Sequence, residues 1–411
     1  MQTPTRARHN LATPRCSTQA CGDTKAMARL ARGQIRHERY QQCLQLVALA
    51  VLCALGGDED LFLVVAGLGV LQMQGYEQLV APTTLPGVCP MHDFFEVIGG
   101  FDFKELFRFE KPHFLMLMAE LQMPEFIEIY RGGYGLSRVP GDLALAVTIW
   151  RLACPTTLLR DRLFWGLAET KICEIFNLTI EIIYEQWGHL VMELQYDAIL
   201  PKIDMFCAAV HARGAPLDRC WGFIDGTVRA ISRPWRNQRL WYNGWKRKHA
   251  LKYQAVDSVD GIIRMLWGPM LGRRHDAAML GESGLMAQLQ QWLNDAAGNA
   301  YYLYGDPAYQ ISPWMLTPYK GILSPAQQAF NTAMSSVRVT VEWGFGKVVA
   351  LWPYVDYAKK QQVGLSAAGL GKQYAVAGIL TNCHSCFYGN STSKYFGVKA
   401  PSLRSYLQGE G

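Results

Sequence analysis

The sequence predicts an α/β fold, a mixed sheet flanked by helices and preceded by an all-α region. Two observations carry this. From Asp142 to about residue 195 apolar residues recur at helical spacing, as in "DLALAVTIWRLA". After Asp218 short β-branched and aromatic runs take over, in the order three strands, a helix, a strand and further helices. At 411 residues, half of them hydrophobic, the chain can bury a sizeable core and has the length of two or more domains.

Residues 1–40 are polar and basic without apolar periodicity, and read as a disordered tail. Its arginine-rich composition suits a nuclear-type basic tail as well as a mitochondrial presequence. Residues 41–140 are expected to be a helical region and linker. "LQLVALAVLCALGG" and "LFLVVAGLGVLQM" read as two packed helices, because Gly56, Gly57, Asp58, Glu59 and Asp60 leave neither apolar run long enough to span a bilayer. "FDFKELFRFEKPHFLMLMAELQMPEF" then reads as a helical hairpin, punctuated by Pro124 and the glycines of "YRGGYG".

Residues 141–215 are expected to form a helical domain. Asp142 is placed to cap its first helix and Pro155 to close it. A short helix, a turn at Gly166 and a longer helix with Ile172, Ile175, Phe176 and Ile180 inward follow, the order of a helix-turn-helix. A purely structural bundle has the same pattern, and Glu169, Glu174 and Glu181 on the second helix would repel phosphates. Over 216–390 the strands are "WGFID", "HALKYQAVDS", "IIRMLWGPML" and "YYLYGD", with one helix over "DAAMLGESGLMAQLQQWLND" and two longer ones near the end. Residues 391–411 are taken as a tail.

The net charge of +6 is modest but unevenly placed. From Arg229 to Lys252 there are eight Lys/Arg and no acid, a stretch suited to a polyanion. The eleven cysteines are odd in number and set among apolar neighbours, which suits reduced thiols and an intracellular setting better than a disulfide framework. Cys383, His384 and Cys386 lack the partners that a zinc site needs.

Three carboxylates stand out. Asp225 is expected at the end of the first strand, Asp306 at the end of the fourth, and Glu342 inside a long helix. Ligands of open α/β sheets gather outside strand carboxyl ends. A few acids from different elements are what Mg²⁺ or Mn²⁺ requires, since these hard ions take oxygen ligands and leave positions open for phosphate. Two such ions can activate a nucleophile and stabilise the leaving oxygen of a phosphodiester.

Six motifs in order, "FIDGT", "YNGWKRKHALKYQAVDS", "GRRHDAAML", "YLYGDPAYQISPWMLTPY", "FNTAMSSVRVTVEWGFG" and "YAVAGILTNC", resemble the nucleases of the DDE superfamily, closest to Harbinger-type transposases and host proteins derived from them. The resemblance implies an RNase H-like fold with Asp225, Asp306 and Glu342 as catalytic metal ligands. It makes Asp276 a further ligand, against a plain helix cap. Where family members often carry histidine after "DGT", this chain has Val228. The implied activity is metal-dependent DNA cleavage with strand transfer, in the nucleus. The implied partner is a Myb-like DNA-binding protein; a homo-oligomer is left open and no membrane is expected. Double-stranded DNA is expected on Arg229, Arg233, Arg236, Arg239, Lys246, Arg247, Lys248 and Lys252, with Arg338 nearer the acids. Trp235, Trp241, Tyr242 and Trp245 are candidates to stack on unpaired bases. The other class of reading is a domesticated transposase-derived factor that holds DNA or protein without cutting.

Overall fold

The computed structural model describes residues 94–130, 136–364 and 369–409. The basic tail, the two apolar segments before residue 75 and the "RGGYG" glycines lie outside them. All described residues belong to one unit, Pro86–Gly411.

The polypeptide enters through helices α1 (Gly100–Phe107) and α2 (Lys111–Glu120). Where a linker was expected, β1 (Phe126–Tyr130) and β2 (Leu136–Pro140) pair as an antiparallel hairpin. The alternation of "FIEIY" explains it, since Ile127 and Ile129 share the buried face while Glu128 points outward to Arg138 at 3.1 Å. Helix α3 (Gly141–Ala153) has Pro140 at its N-cap position with no side-chain cap, and Asp142 sits inside its first turn. Helices α4 (Leu158–Trp165) and α5 (Glu169–Trp187) meet at Gly166, in the left-handed conformation that ends α4. Helix α6 (Ile203–Ala212) buries Phe206 and Val210 and leads into the sheet. The helices of 141–215 share a hydrophobic core with that sheet.

The sheet is mixed. Strand β3 (Cys220–Ala230) pairs antiparallel with β5 (Lys248–Ser258), and β5 pairs antiparallel with β6 (Ile263–Leu271). Short β4 (Tyr242–Asn243) extends the same edge of β5. On the other side β7 (Tyr302–Tyr304) runs parallel to β3, and β8 (Met315–Leu316) parallel to β7. Ile224, Val256 and Leu303 are fully buried along these strands, each contributing about 1.5–3 kcal/mol of transfer free energy. The single helix expected over Asp276–Asp295 is two, α7 (Asp276–Glu282) and α8 (Leu285–Trp292). Gly284 separates them at φ +66°, a conformation that glycine adopts at little cost.

Helix α9 (Pro325–Leu351) carries the third acid. Its start is over-determined: Ser324 and Gln327 form a reciprocal capping box and Pro325 fills the first turn, where no amide donor is needed. It lies on the sheet face that bears Phe223, Asp225, Thr227 and Arg229, residues that share a face because strand side chains alternate. Gly344 permits the approach, as a Cβ there would come within 2.1 Å of Asp257 Oδ2. Helix α10 (Gly369–Tyr388) joins the same core, with Asn382 holding both the N–H and the carbonyl of Ile263 at 2.9 Å. The residues read as a tail fold back as α11 (Ser391–Phe396) and α12 (Leu403–Gln408), because Phe396, Leu403, Tyr406 and Leu407 supply apolar faces that the core buries.

Candidate active site

Asp225 is in mid-strand rather than at a strand end. Strand β3 runs on to Ala230 because residues 226–230 keep their partners on β5 down to Ala230↔Ala250. Asp306 follows β7 by two residues, and Glu342 lies within α9 as expected. The residue between Asp225 and Glu342 is Arg338, one helical turn before Glu342. Its Nη1 donates to Asp225 Oδ2 at 3.2 Å and its Nη2 lies 3.9 Å from Glu342 Oε1. The other oxygen of Asp225, Oδ1, accepts from the Gly226 N–H at 2.8 Å. Asp306 Oδ1 is held by the Ala308 N–H, which fixes the turn after β7.

Asp225 feels the other two acids. Burial, first, holds the Asp225 carboxyl above the ordinary carboxylate range; the Gly226 N–H and Arg338 pull it down, and Asp306 and Glu342 raise it again. Three carboxylates and one guanidinium leave a formal surplus of two negative charges. That surplus and the all-oxygen donor set suit a hard divalent cation. In the observed arrangement, no three His, Cys, Asp or Glu side chains among the described residues converge closely enough to hold a metal. Arg338 bridges two of the acids, Asp225 and Glu342, instead.

Asp276 is the first residue of α7, directly after His275 at the N-cap position.

The cationic stretch divides in two. Arg233, Arg236, Arg239, Lys246, Arg247 and Lys248 are exposed, and Trp235 and Trp245 stand 91% and 87% exposed on the same segment. Two cations expected on DNA are not on that surface. Lys252 is 6% exposed and donates to the Arg274 carbonyl at 3.0 Å. Arg229 donates to the Tyr374 hydroxyl at 3.0 Å and to Asp356 at 3.1 Å, and its guanidinium lies over the Tyr374 ring. Both point inward for the reason that puts Asp225 inward: they sit on strands covered by helices. Trp241 packs against the core, while Tyr242 is exposed and meets His249 edge-on.

Sequence reading missed Asp257. It stands on β5 opposite Phe223, on the sheet face of Asp225, 5% exposed and with Oδ1 unpartnered. Burial, then Asp225 and Asp260, pushes its carboxyl well above the ordinary range. The signal was present in "YQAVDS", where a lone acid falls on the inward face of a buried strand. Because the folded carboxyl keeps its proton where the unfolded one has lost it, stability present at pH 4 declines as pH rises above the unfolded value of 3.8. Asp257→Asn preserves the neutral shape and removes that decline. The variant is expected to gain on the wild type between pH 4 and pH 7 in urea unfolding; a wild type that gains instead would mean that Asp257 is ionised.

Residues 224–382 match the family model described as DDE superfamily endonuclease. "Putative nuclease HARBI1" of Homo sapiens is 25% identical over 138 residues, 34% of this chain and 38% of that protein. "Protein ALP1-like" of Arabidopsis thaliana is 22% identical over 225 residues, 52% of this chain and 53% of that protein. The chain thus spans between 38% and 53% of the length of these curated relatives. No solved structure matches the chain significantly.

Proposed function

We propose, from the premise that residues 224–382 are a DDE superfamily endonuclease segment, that the protein is a metal-dependent DNA endonuclease. The observation that carries the reading is the convergence of Asp225 and Glu342 on one guanidinium, with Asp306 near enough to act on the Asp225 carboxyl, and with exposed cations and tryptophans on the segment that follows Asp225. An RNase H-like fold goes with it. The strand order supports this: a three-stranded antiparallel meander, β3-β5-β6, with two parallel strands added on the far side of β3.

In this reading Asp225, Asp306 and Glu342 hold Mg²⁺ or Mn²⁺, which supplies Lewis-acid stabilisation and a nucleophile at neutral pH. The residues' own work is distinct. The Gly226 amide fixes Asp225, the turn to Ala308 fixes Asp306, and the rigid helix α9 fixes Glu342. The exposed cations from Arg233 to Lys248 draw the phosphate backbone toward these acids by counterion release. Trp235 and Trp245, each a large apolar side chain left in water, are surfaces for unpaired bases. Strand transfer, a nuclear setting and a Myb-like partner belong to the same reading by resemblance.

Replacing Arg236, Arg239, Lys246, Arg247 and Lys248 together by alanine is expected to weaken duplex binding at low salt. It should also flatten the dependence of log K on log salt by about 0.9 for each phosphate that is no longer neutralised. Fluorescence anisotropy over a salt series measures both. An unchanged slope would mean that DNA does not follow this segment.

The test of the function is cleavage of labelled duplex DNA with Mg²⁺, with Mn²⁺ and with chelator, beside Asp306→Asn, in the presence and absence of nuclear extract. Cutting that needs metal and vanishes in the variant bears the reading out. Binding that persists equally in both proteins, with no cutting under any condition, overturns it in favour of the non-cutting factor.

A further inference from the structure

We propose that Arg338 is the resident cation of the candidate site and exchanges with the divalent ion, leaving Asp225 Oδ2 when metal enters. The inference rests on the metal-dependent reading above and adds a step to it.

The geometry is specific. Asp225 has two carboxylate oxygens, and Oδ1 already accepts the Gly226 N–H at 2.8 Å. The oxygen without a backbone donor is Oδ2, the more open of the two to a metal, and that is the atom Arg338 Nη1 holds at 3.2 Å. The second nitrogen of the same fork faces Glu342 Oε1 at 3.9 Å, so one guanidinium spans two of the three proposed ligands. Arg338 and Asp225 are about one-fifth exposed, where their charges are poorly screened, whereas Glu342 is 58% exposed. A divalent cation on Asp225 Oδ2 would meet this positive charge at close range. The two cations therefore compete for one carboxylate.

Without a cation the site would bring together three acids in a partly buried corner, and Arg338 offsets that repulsion. When it lets go it needs another anion, and the fork of an arginine fits a phosphate bidentately. A DNA phosphate at the site would hold the displaced guanidinium, so DNA and metal are expected to bind with positive coupling, each raising the affinity of the other by the same factor. The chain would then load metal poorly until DNA is present.

The experiment is a titration with Mn²⁺ alone, followed by the EPR signal of free Mn²⁺, on wild type, Arg338→Met, Arg338→Lys and Asp225→Asn. Arg338→Met is expected to bind Mn²⁺ tighter than wild type by on the order of tenfold, Arg338→Lys to fall between them, and Asp225→Asn to bind least. Melting in chelator supplies a second readout: Arg338→Met melts below wild type and recovers further on adding Mn²⁺. If wild type binds Mn²⁺ and Arg338→Met binds it equally or more weakly, Arg338 supports the metal site rather than competing for it, and the exchange is wrong while the metal-dependent reading stands. If neither protein binds Mn²⁺ more tightly than Asp225→Asn does, both fail.

Discussion

Asp225→Asn is expected to abolish metal-dependent DNA cleavage while the protein still folds, whereas Asp257→Asn retains it. The two acids sit close together on one sheet face, since Asp225 opposes Ala255 and Asp257 opposes Phe223 in the same ladder. What separates them is access. The Asp225 side chain is 19% exposed and reaches Arg338 and the edge of the site, whereas Asp257 is 5% exposed beneath Gly344. A metal ligand must be charged and open to incoming phosphate; only Asp225 is placed for that. Asparagine at 225 keeps the shape and the Gly226 N–H bond but gives up the negative charge. Losing charge stabilisation worth several kcal/mol corresponds to a fall of at least about 10³-fold, at 1.36 kcal/mol per decade. Single-turnover cleavage with Mn²⁺, referenced to the melting curve of each variant, is the measurement. Asp225→Asn cutting at more than a tenth of the wild-type rate would remove the carboxylate from the chemistry.

Much of this site was legible before the fold was known, and the reasons are local. Asp306 follows a short aromatic strand and precedes proline, and Glu342 sits in a helix announced by Ser324, Pro325 and Gln327. Such signals depend on neighbours in sequence. What escaped depends on neighbours in space. Lys252 and Arg229 look like the other cations of their stretch, but strand alternation and the helices above them turn both inward, onto the Arg274 carbonyl and onto Tyr374 with Asp356. Arg338 was readable as a partner of Glu342 at i,i+4, whereas its bond to Asp225 spans 113 residues of sequence. Strand β8 has two residues and β4 two more, too few for any alternation to register. The hairpin of β1 and β2 was misread because Pro124 and the glycines between its strands were weighed above the alternation inside them.

The largest loss of stability from one turn position is expected at Asp260, on the hairpin that joins β5 to β6. Its carboxylate is 1% exposed and pairs with the guanidinium of Arg264, itself 5% exposed. It also accepts from Ser258 Oγ and from the Ile262 N–H, while Arg264 Nε donates to the same Ser258 hydroxyl at 2.7 Å. Asp260→Ala therefore leaves a buried guanidinium without its counter-charge and frees two donors of the turn. Breaking a buried pair from one side costs about 3–5 kcal/mol. Removing both charges, as in Asp260→Ala with Arg264→Met, is expected to cost distinctly less, because no uncompensated ion remains. Urea unfolding of the three proteins decides this: a single variant within about 1 kcal/mol of wild type, or a double variant worse than the single, would mean that water reaches the pair and the turn is held by its backbone. The comparison also bears on function. Asp260 lies beyond Asp257 from the acids, so the folded fraction of Asp260→Ala should cut DNA at the wild-type rate, whereas Asp225→Asn should be fully folded and inactive. Opposite outcomes at two acids of one sheet would separate what holds the sheet together from what the sheet presents to DNA.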